Sequence, residues 1–190
     1  TATEPDGGAA ADVFAITVLN SNDAPVVDSA PEALRASEDS PFEFTLPANV
    51  FRDVDLGDVL TLSARQEDGD ALPPWLVFDS RSGRFSGTPA NGDVGNWRLR
   101  LTATDLAGAA ATTSITLNVT NVNDAPEAGV TIADQRATQG QAFALTLPSG
   151  TFSDVDAGDV LSLAATLDDG RSLPAWLSFD ATTEIGRARV

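Results

Sequence analysis

The sequence predicts an all-β protein built from tandem sandwich domains, and three observations lead to this prediction. Apolar and polar residues alternate with a period of two in several short segments, and turn residues separate these segments. Much of the 190-residue chain also repeats itself at one fixed distance. No segment carries the sustained 3.6-residue apolar period of an amphipathic helix. We therefore expect strands throughout.

Five segments show the alternation most clearly, and they are rich in Val, Ile, Leu, Thr and Phe, which are typical of half-buried strands. They are VFAITVL (13–19), FEFTL (42–46), VLTLSA (59–64), WRLRLTAT (97–104) and TTSITLNV (112–119). Turn signals lie between them at EDGD (67–70), RSG (81–83), ANGD (90–93) and DLAG (105–108). About seven short strands in a unit of roughly 100 residues are typical of an immunoglobulin-like sandwich.

The repeat has a spacing of 101 positions, as from Asn20 to Asn121. NSNDAP (20–25) returns as NVNDAP (121–126), FRDVDLGDVL (51–60) as FSDVDAGDVL (152–161), and LPPWLVFD (72–79) as LPAWLSFD (173–180). We predict that 1–23 holds the last strands of a truncated domain, 24–123 a complete domain, and 124–190 the first part of a further truncated domain. The tail EIGRARV (184–190) departs from its counterpart GRFSGTP (83–89).

The amino-acid composition argues against several classes of function. The chain has 28 acidic and 11 basic residues, a net charge of -17, and no His or Cys; all of its basic residues are Arg. Such a surface repels nucleic acid and anionic membranes, so we expect no nucleic-acid partner. No segment of this fragment has transmembrane length. Because the chain has no His, Cys or Lys, the usual general bases and nucleophile activators are missing, and we expect no enzymatic activity. The acidity itself is open to two interpretations, bound cations or simple solubility.

The acidic residues recur in one pattern, DVD followed by a third Asp. The two copies are Asp53, Asp55, Asp58 and Asp154, Asp156, Asp159. Side chains two apart on an extended segment point the same way, and converging carboxylates repel unless a cation lies between them or one is protonated. Oxygen ligands of this kind suit calcium. The segment is not an EF-hand, because Ala64 and Ala165 stand where that motif needs Glu. A solvated turn is the alternative, and the recurrence favours a metal.

Several motifs resemble the cadherin family. NxNDAP is similar to the linker between cadherin repeats, DVDxGDxL resembles the cadherin DxD, and TATDLAG (102–108) resembles AxDxxG. LPxWLxFD followed by SGTPANGDVG (86–95) resembles the dystroglycan-type cadherin-like domain of bacterial surface and secreted proteins. The resemblance implies tandem immunoglobulin/cadherin-like Greek-key β-sandwiches with Ca²⁺ at the joints between successive domains.

Two ligand sets follow from the resemblance. The first joint would use Asn20, Asn22, Asp23, Asp53, Asp55 and Asp105. The second joint would use Glu38, Asn121, Asn123, Asp124, Asp154 and Asp156. The cadherin DRE motif is missing, and Asp93 is the nearest acid to its place. Gln139 replaces the glutamate in the last domain, which implies weaker calcium binding at any joint beyond it.

The main hypothesis is a calcium-stiffened adhesion or spacer segment of a large exported protein, located outside the cell or on its surface. Its partners would be calcium and neighbouring repeats of the same chain, with another copy or a surface glycan as further partners. Two alternatives stay open: a carbohydrate-binding module of a secreted polysaccharide-degrading protein, and a metal-independent linker. Carbohydrate binding needs exposed aromatic residues, whereas we expect Trp75 and Trp176 to lie in the core.

Overall fold

The computed structural model describes residues 1–189, and these residues form an all-β structure, as predicted. The strands are β1 (Ala2–Thr3), β2 (Ala9–Ala10), β3 (Val26–Val27), β4 (Leu34–Ser37), β5 (Phe42–Thr45), β6 (Phe51–Arg52), β7 (Thr61–Gln66), β8 (Leu76–Asp79), β9 (Arg84–Gly87), β10 (Gly95–Thr104), β11 (Ala110–Thr120), β12 (Glu127–Ala128), β13 (Ala142–Thr146), β14 (Phe152–Ser153), β15 (Leu177–Asp180) and β16 (Ile185–Arg189). One 3-10 turn, Asn91–Asp93, interrupts the strands in the described part of the chain. Within residues 1–189, no helix is long and apolar enough to cross a membrane.

The strands form sheets in which neighbours in space are often distant in sequence. One four-stranded sheet has the order β4-β11-β10-β7, and two three-stranded sheets have the orders β5-β9-β8 and β13-β16-β15. The pairs β1-β2, β3-β6 and β12-β14 form two-stranded ribbons. β4 runs parallel to β11, with Leu34 opposite Leu117, whereas β7 pairs antiparallel with β10.

The chain folds into two compact units, each made of segments that are distant in sequence. The first contains Thr1–Ala33, Glu43–Phe85 and Arg98–Thr116, and the second contains Leu34–Phe42, Ser86–Trp97 and the residues from Leu117 onward. Residues of β10 and of β11 are divided between the two units. The domain boundaries drawn from the repeat are a different division, and they stay a prediction.

The period-two pattern explains the core. On β10, Leu99, Leu101 and Ala103 are buried while the residues between them are partly exposed, and Ile115, Leu117 and Val119 alternate in the same way on β11. Each fully buried Leu stabilises the fold by about 2 kcal/mol through loss of apolar surface from water. The long central strands are therefore the best anchored part of the structure.

The prediction of a strand at 13–19 is wrong for the described residues. Phe14, Ile16 and Val18 are 78%, 77% and 87% exposed, although at a spacing of 101 they correspond to the buried residues of β11. β11 has β4 and β10 as hydrogen-bonding neighbours. Residues 13–19 pair with no strand within 1–189, so their backbone N–H and C=O groups have no ladder to join. The other four predicted strands are present, with ends shifted by a few residues at most.

The tail that departs from the repeat in sequence keeps the repeat's structure. β16 lies between β13 and β15, as β9 lies between β5 and β8. The N–H of Leu147 donates to the carbonyl oxygen of Glu184 at 3.0 Å, and the N–H of Leu46 donates to that of Gly83 at 2.9 Å. Glu184 therefore adopts φ 55°, close to the 67° of Gly83, in a region that disfavours side chains with a Cβ. Val190 lies outside the described residues.

The tryptophans of the LPxWL motif differ in burial. Trp75 is half-buried, but Trp176 is 49% exposed, so the prediction that Trp176 lies in the core is wrong. In the first repeat the core is built largely by β10 and β11. Within residues 1–189 the second repeat has no counterpart of these two strands, and Trp176 stays partly open to solvent.

Candidate metal centres

The loop between β6 and β7 gathers three aspartates, which we call the first cluster: Asp53, Asp55 and Asp58. One carboxylate oxygen of each lies within 4.8 Å of the others. The N–H of Asp55 donates to Oδ1 of Asp53 at 2.9 Å, and the N–H of Asp58 donates to the carbonyl oxygen of Asp55 at 3.3 Å. Gly57 permits the tight reversal with φ 96°, and buried Phe51 anchors the start of the loop.

The NxND linker is hydrogen-bonded to this loop. Asn20 Nδ2 donates to Asp55 Oδ1 at 2.9 Å, and the backbone N–H of Asp23 donates to Asp55 Oδ2 at 2.7 Å. Asn22 Nδ2 donates to Asp105 Oδ2 at 3.0 Å, where Asp105 is buried at the end of β10. The structure thus brings together the six residues predicted for the first joint.

Two carboxylate oxygens of the first cluster lack partners. Oδ2 of Asp53 and Oδ2 of Asp58 are buried, and no hydrogen bond reaches either atom within the described chain. Burial raises the pKa of Asp58, and the negative charges of Asp53, Asp105 and Asp55 raise it further. By contrast, the hydrogen bond from Asn22 lowers the pKa of Asp105, assisted by backbone N–H groups of its own turn. The cluster therefore has acceptor capacity that the protein leaves unused.

The loop that follows β14 repeats this geometry as the second cluster: Asp154, Asp156 and Asp159. One carboxylate oxygen of each again lies within 4.8 Å of the others. The N–H of Asp156 donates to Asp154 Oδ1 at 3.0 Å, and the N–H of Asp124 in the linker donates to Asp156 Oδ2 at 2.8 Å. Asn123 Nδ2 donates to the carbonyl oxygen of Asp124 at 2.6 Å, as Asn22 does to that of Asp23 in the first linker.

The two joints differ in the asparagine that is hydrogen-bonded to their carboxylates. Asn20 holds Oδ1 of Asp55 in the first joint, but its counterpart Asn121 makes no hydrogen bond to the second cluster among the contacts of the described chain. Instead, Asn91 Nδ2 donates to Asp124 Oδ2 at 2.8 Å and lies 3.5 Å from Asp156 Oδ1. Asn91 comes from the 3-10 turn between β9 and β10.

Asp93, the acid nearest to the missing DRE, has a different role. Its Oδ2 accepts the N–H of Ala90 at 2.9 Å and so caps the 3-10 turn. Its carbonyl oxygen accepts the indole N–H of Trp97 at 2.8 Å. The turn delivers Asn91 to the joint while Asp93 holds the turn closed. An ANGD turn signal identified this segment in the sequence, but not which of its residues faces the joint.

Glu38 is fully buried at the end of β4. Its Oε1 accepts the N–H of Val122 in the second linker at 2.7 Å, whereas its Oε2 has no hydrogen-bond partner in the described residues. The next residue, Asp39, has φ 56° and donates its N–H to the carbonyl oxygen of Pro89 at 2.9 Å. A buried carboxylate with an unpaired oxygen is costly unless a cation or donor compensates it. Gln139, its counterpart in the next repeat, is exposed.

Asp58 and Asp159 belong with the candidate ligands, although the predicted sets omit them. The DVDxxD pattern contains both residues, but their alignment with the other two carboxylates depends on the loop reversal at Gly57 and Gly158. Carboxylate, amide and backbone carbonyl oxygens with unfilled acceptor capacity suit a hard divalent cation of the Ca²⁺ type. The donor sets of both joints therefore fit such an ion.

Comparison with known proteins agrees with this architecture. The family described as "Putative Ig domain" matches residues 24–120 and again 125–186. Among curated proteins, none matches the chain in sequence. The four-domain extracellular cadherin segment of protocadherin gamma B7 is 17% identical with a TM-score of 0.54, over 87% of this chain and 41% of that one.

Two further solved structures are similar over a large part of the chain. The five-domain cadherin segment of protocadherin gamma B2 is 21% identical with a TM-score of 0.50, over 75% of this chain and 28% of that one. An endo-fucoidan hydrolase of glycoside hydrolase family 107 is 23% identical with a TM-score of 0.45, over 87% of this chain and 24% of that one. This chain spans less than half of each of the three. The two matched segments show that the chain belongs to the "Putative Ig domain" family, as a tandem of immunoglobulin-like, cadherin-like repeats.

Proposed function

We propose that this chain is a calcium-binding, calcium-stiffened extracellular repeat segment of a large exported adhesin or surface protein. One observation carries the proposal: each NxND linker is hydrogen-bonded to a carboxylate cluster, and a carboxylate of that cluster or one bonded to the linker itself keeps a buried oxygen without a hydrogen-bond partner. At the first joint these oxygens are the buried Oδ2 atoms of Asp53 and Asp58, and at the second joint the buried Oε2 of Glu38.

Electrostatics explains how such a joint would respond to the ion. The first joint holds the carboxylates of Asp53, Asp55 and Asp58 close together, the negative charge of Asp105 acts on Asp58, and this mutual repulsion opposes closure. A divalent ion shared by the linker and the loops converts this repulsion into attraction. The linker then loses its freedom relative to the loops that it contacts, and the hinge stiffens.

The expected affinity fits an extracellular setting. Calcium sites in extracellular modules bind with Kd on the order of 10⁻⁴–10⁻³ M. Sites of this strength fill outside cells and stay empty at cytosolic calcium levels. The structural partners of the chain would then be its neighbouring repeats, its adhesion partner would be another copy or a surface glycan, and it would have no catalytic activity and no nucleic-acid partner.

Carbohydrate binding is a second candidate, and the exposure of Trp176 favours it. An indole that is 49% exposed offers a flat apolar face on which a sugar ring can stack. Quenching or shift of tryptophan fluorescence on adding soluble polysaccharides, lost in Trp176→Ala, would support this function. If none of the polysaccharides changed the tryptophan fluorescence, carbohydrate binding at Trp176 would be excluded.

The experiment for the main proposal is thermal unfolding with excess EDTA and then with roughly 10 mM CaCl₂, which exceeds the expected Kd. We expect Ca²⁺ to raise the Tm of the wild type. Asp53→Asn/Asp55→Asn should lose the part of this rise that comes from the first joint. Glu32→Gln/Asp134→Asn is the matched control, because it removes two exposed acids outside both joints. A Tm rise that the control loses equally would mean that Ca²⁺ only screens the net charge of -17.

A further inference from the structure

The 3-10 turn at the second joint contains the only Asn-Gly sequence of the chain, Asn91-Gly92. The backbone nitrogen that follows an asparagine can attack the side-chain amide carbon, and glycine in the following position offers the least steric hindrance. Gly92 is exposed, and a Cβ added to it would meet no atom within 4 Å. The hydrogen bond from the N–H of Val94 to the carbonyl oxygen of Asn91 is long, at 3.4 Å. The attacking and attacked groups thus lie in a short turn that hydrogen bonds between Ala90 and Asp93 hold closed, with the Gly92 side open to solvent.

We propose that Asn91 is a deamidation site, and that its conversion inserts a further carboxylate into the second joint. The nitrogen of Gly92 loses its proton to solvent and forms a bond to Cγ of Asn91, the Cγ–Nδ2 bond breaks, and Nδ2 takes up a proton from solvent and leaves as ammonia. Water from the solvent then opens the cyclic imide and yields aspartate or isoaspartate. No oxidant or reductant takes part, and the product carries one more negative charge at neutral pH.

The position of Asn91 gives this reaction a consequence that it would lack elsewhere on the surface. Nδ2 is the donor that faces two carboxylates, at 2.8 Å from Asp124 Oδ2 and 3.5 Å from Asp156 Oδ1. Conversion replaces that donor with an acceptor that carries the same charge as its neighbours. In the ion-free chain the contact therefore changes from attractive to repulsive.

With a divalent ion bound, the conversion stabilises the joint instead of destabilising it, because the new carboxylate is a charged oxygen ligand where the amide was neutral. This second consequence rests on the proposed calcium function, whereas the reaction and its effect on the ion-free chain do not. Deamidation would thus make the second joint more dependent on the ion with time: weaker without it and stronger with it.

The test follows the intact chain during incubation in EDTA at mildly alkaline pH, with peptide mass spectrometry of the segment around Asn91. We expect the mass gain of an amide-to-acid conversion at Asn91, faster than at the other asparagines. Gly92→Ala should slow it severalfold without lowering the Tm, because the added Cβ has open space. Conversion that is slower at Asn91 than at other asparagines, or that Gly92→Ala leaves unchanged, would overturn the proposal.

A second readout tests whether the new charge enters the joint. In EDTA, Asn91→Asp and the incubated wild type should both unfold at a Tm lower than fresh wild type, by on the order of 5 °C. Asn49→Asp adds the same charge at an exposed position outside both joints, so its Tm should stay close to wild type. An equal Tm for Asn91→Asp and Asn49→Asp would show that residue 91 does not act on the cluster, and would refute this part.

Measurements with Ca²⁺ distinguish a failure of the deamidation proposal from a failure of the calcium function. Asn91→Asp should bind Ca²⁺ more tightly than wild type. If conversion and the loss of Tm in EDTA occur but neither protein responds to Ca²⁺, the calcium function fails while the deamidation site stands. If Ca²⁺ stabilises the wild type but Asn91 does not react, only the deamidation proposal is refuted.

Discussion

Replacing Glu38 by glutamine should have opposite effects with and without calcium. The Glu38 side chain is fully buried, its Oε1 accepts the N–H of Val122 at 2.7 Å, and its Oε2 is unpaired within the described residues. An unsatisfied buried acceptor costs about 1–3 kcal/mol, and a charged one costs more. Glu38→Gln keeps the shape and the acceptor for Val122 while it removes the charge.

In EDTA we therefore expect Glu38→Gln to raise the free energy of unfolding by about 1 kcal/mol, the excess cost of burying an unpaired carboxylate oxygen over an unpaired neutral amide. For a domain of about 100 residues this corresponds to a Tm rise of at least about 4 °C. With Ca²⁺ present, the loss of a charged ligand should weaken binding by about tenfold, or 1.4 kcal/mol. The next repeat has Gln139 at this position, so the substitution has a precedent within the chain.

Urea unfolding with EDTA and with CaCl₂ measures both effects on the same protein. Glu38→Ala is the control, because it leaves a cavity and an unpaired N–H on Val122, and should destabilise the chain in both conditions. If Glu38→Gln lowered stability in EDTA, the charge of Glu38 would already be compensated by the protein. The unpaired Oε2 of Glu38 would then not destabilise the ion-free chain.

Three further predictions concern single positions. Glu184→Gly should stabilise the chain by about 1 kcal/mol in urea unfolding, because glycine adopts φ 55° without the strain of a Cβ; a loss of stability would show that the Glu184 side chain makes stabilising contacts. The pKa of Asp58 is raised in the folded chain, so its contribution to the stability of the ion-free chain is present at low pH and is lost as pH rises through that pKa. Because protonation of Asp58 competes with the ion, the affinity for Ca²⁺ should fall as pH decreases toward the same range. A Ca²⁺ affinity that does not change with pH would contradict this prediction. Backbone hydrogen bonds from Arg81 and Ser82 lower the pKa of Asp79, so its stabilisation is present above the usual Asp pKa of about 3.9 and is lost as pH falls through the lower folded value. These bonds lie in the turn of the β8–β9 hairpin, so Asp79→Ala should lower the Tm at pH 7 and remove this part of the acid sensitivity; an unchanged Tm would show that they do not stabilise the hairpin.

Much of the fold could be predicted from the sequence because it depends on local pattern. Alternation at Leu99, Leu101 and Ala103 predicts which face of β10 is buried, and the structure agrees. The same alternation predicts a strand at 13–19, where it fails, since pairing requires neighbouring strands that alternation alone does not supply. β16 forms despite a sequence that departs from the repeat, because Glu184 accepts a backbone conformation that Gly83 adopts without strain.

In the candidate sites, too, the features that follow from local sequence pattern could be predicted, whereas those that depend on packing could not. The spacing of Asp53 and Asp55 predicts that their side chains converge, and the repeat predicts a second copy of the arrangement. Asn91 could not be predicted, because its approach to Asp124 depends on how the turn after β9 lies in the folded chain. The unpaired oxygen of Glu38 is likewise a product of packing rather than of sequence pattern.

A site-resolved NMR titration of the whole chain with CaCl₂ would show whether calcium binds at the two joints. We predict saturable shifts of backbone amides in the two linkers and in the loops at 53–58 and 154–159, with Kd on the order of 10⁻⁴–10⁻³ M. Amides of the β8–β9 hairpin, which is rich in exposed polar groups but lies outside both ligand sets, should change little. Small shifts spread over the acidic surface without saturation would contradict binding at the joints and leave the aspartates as solvated turns.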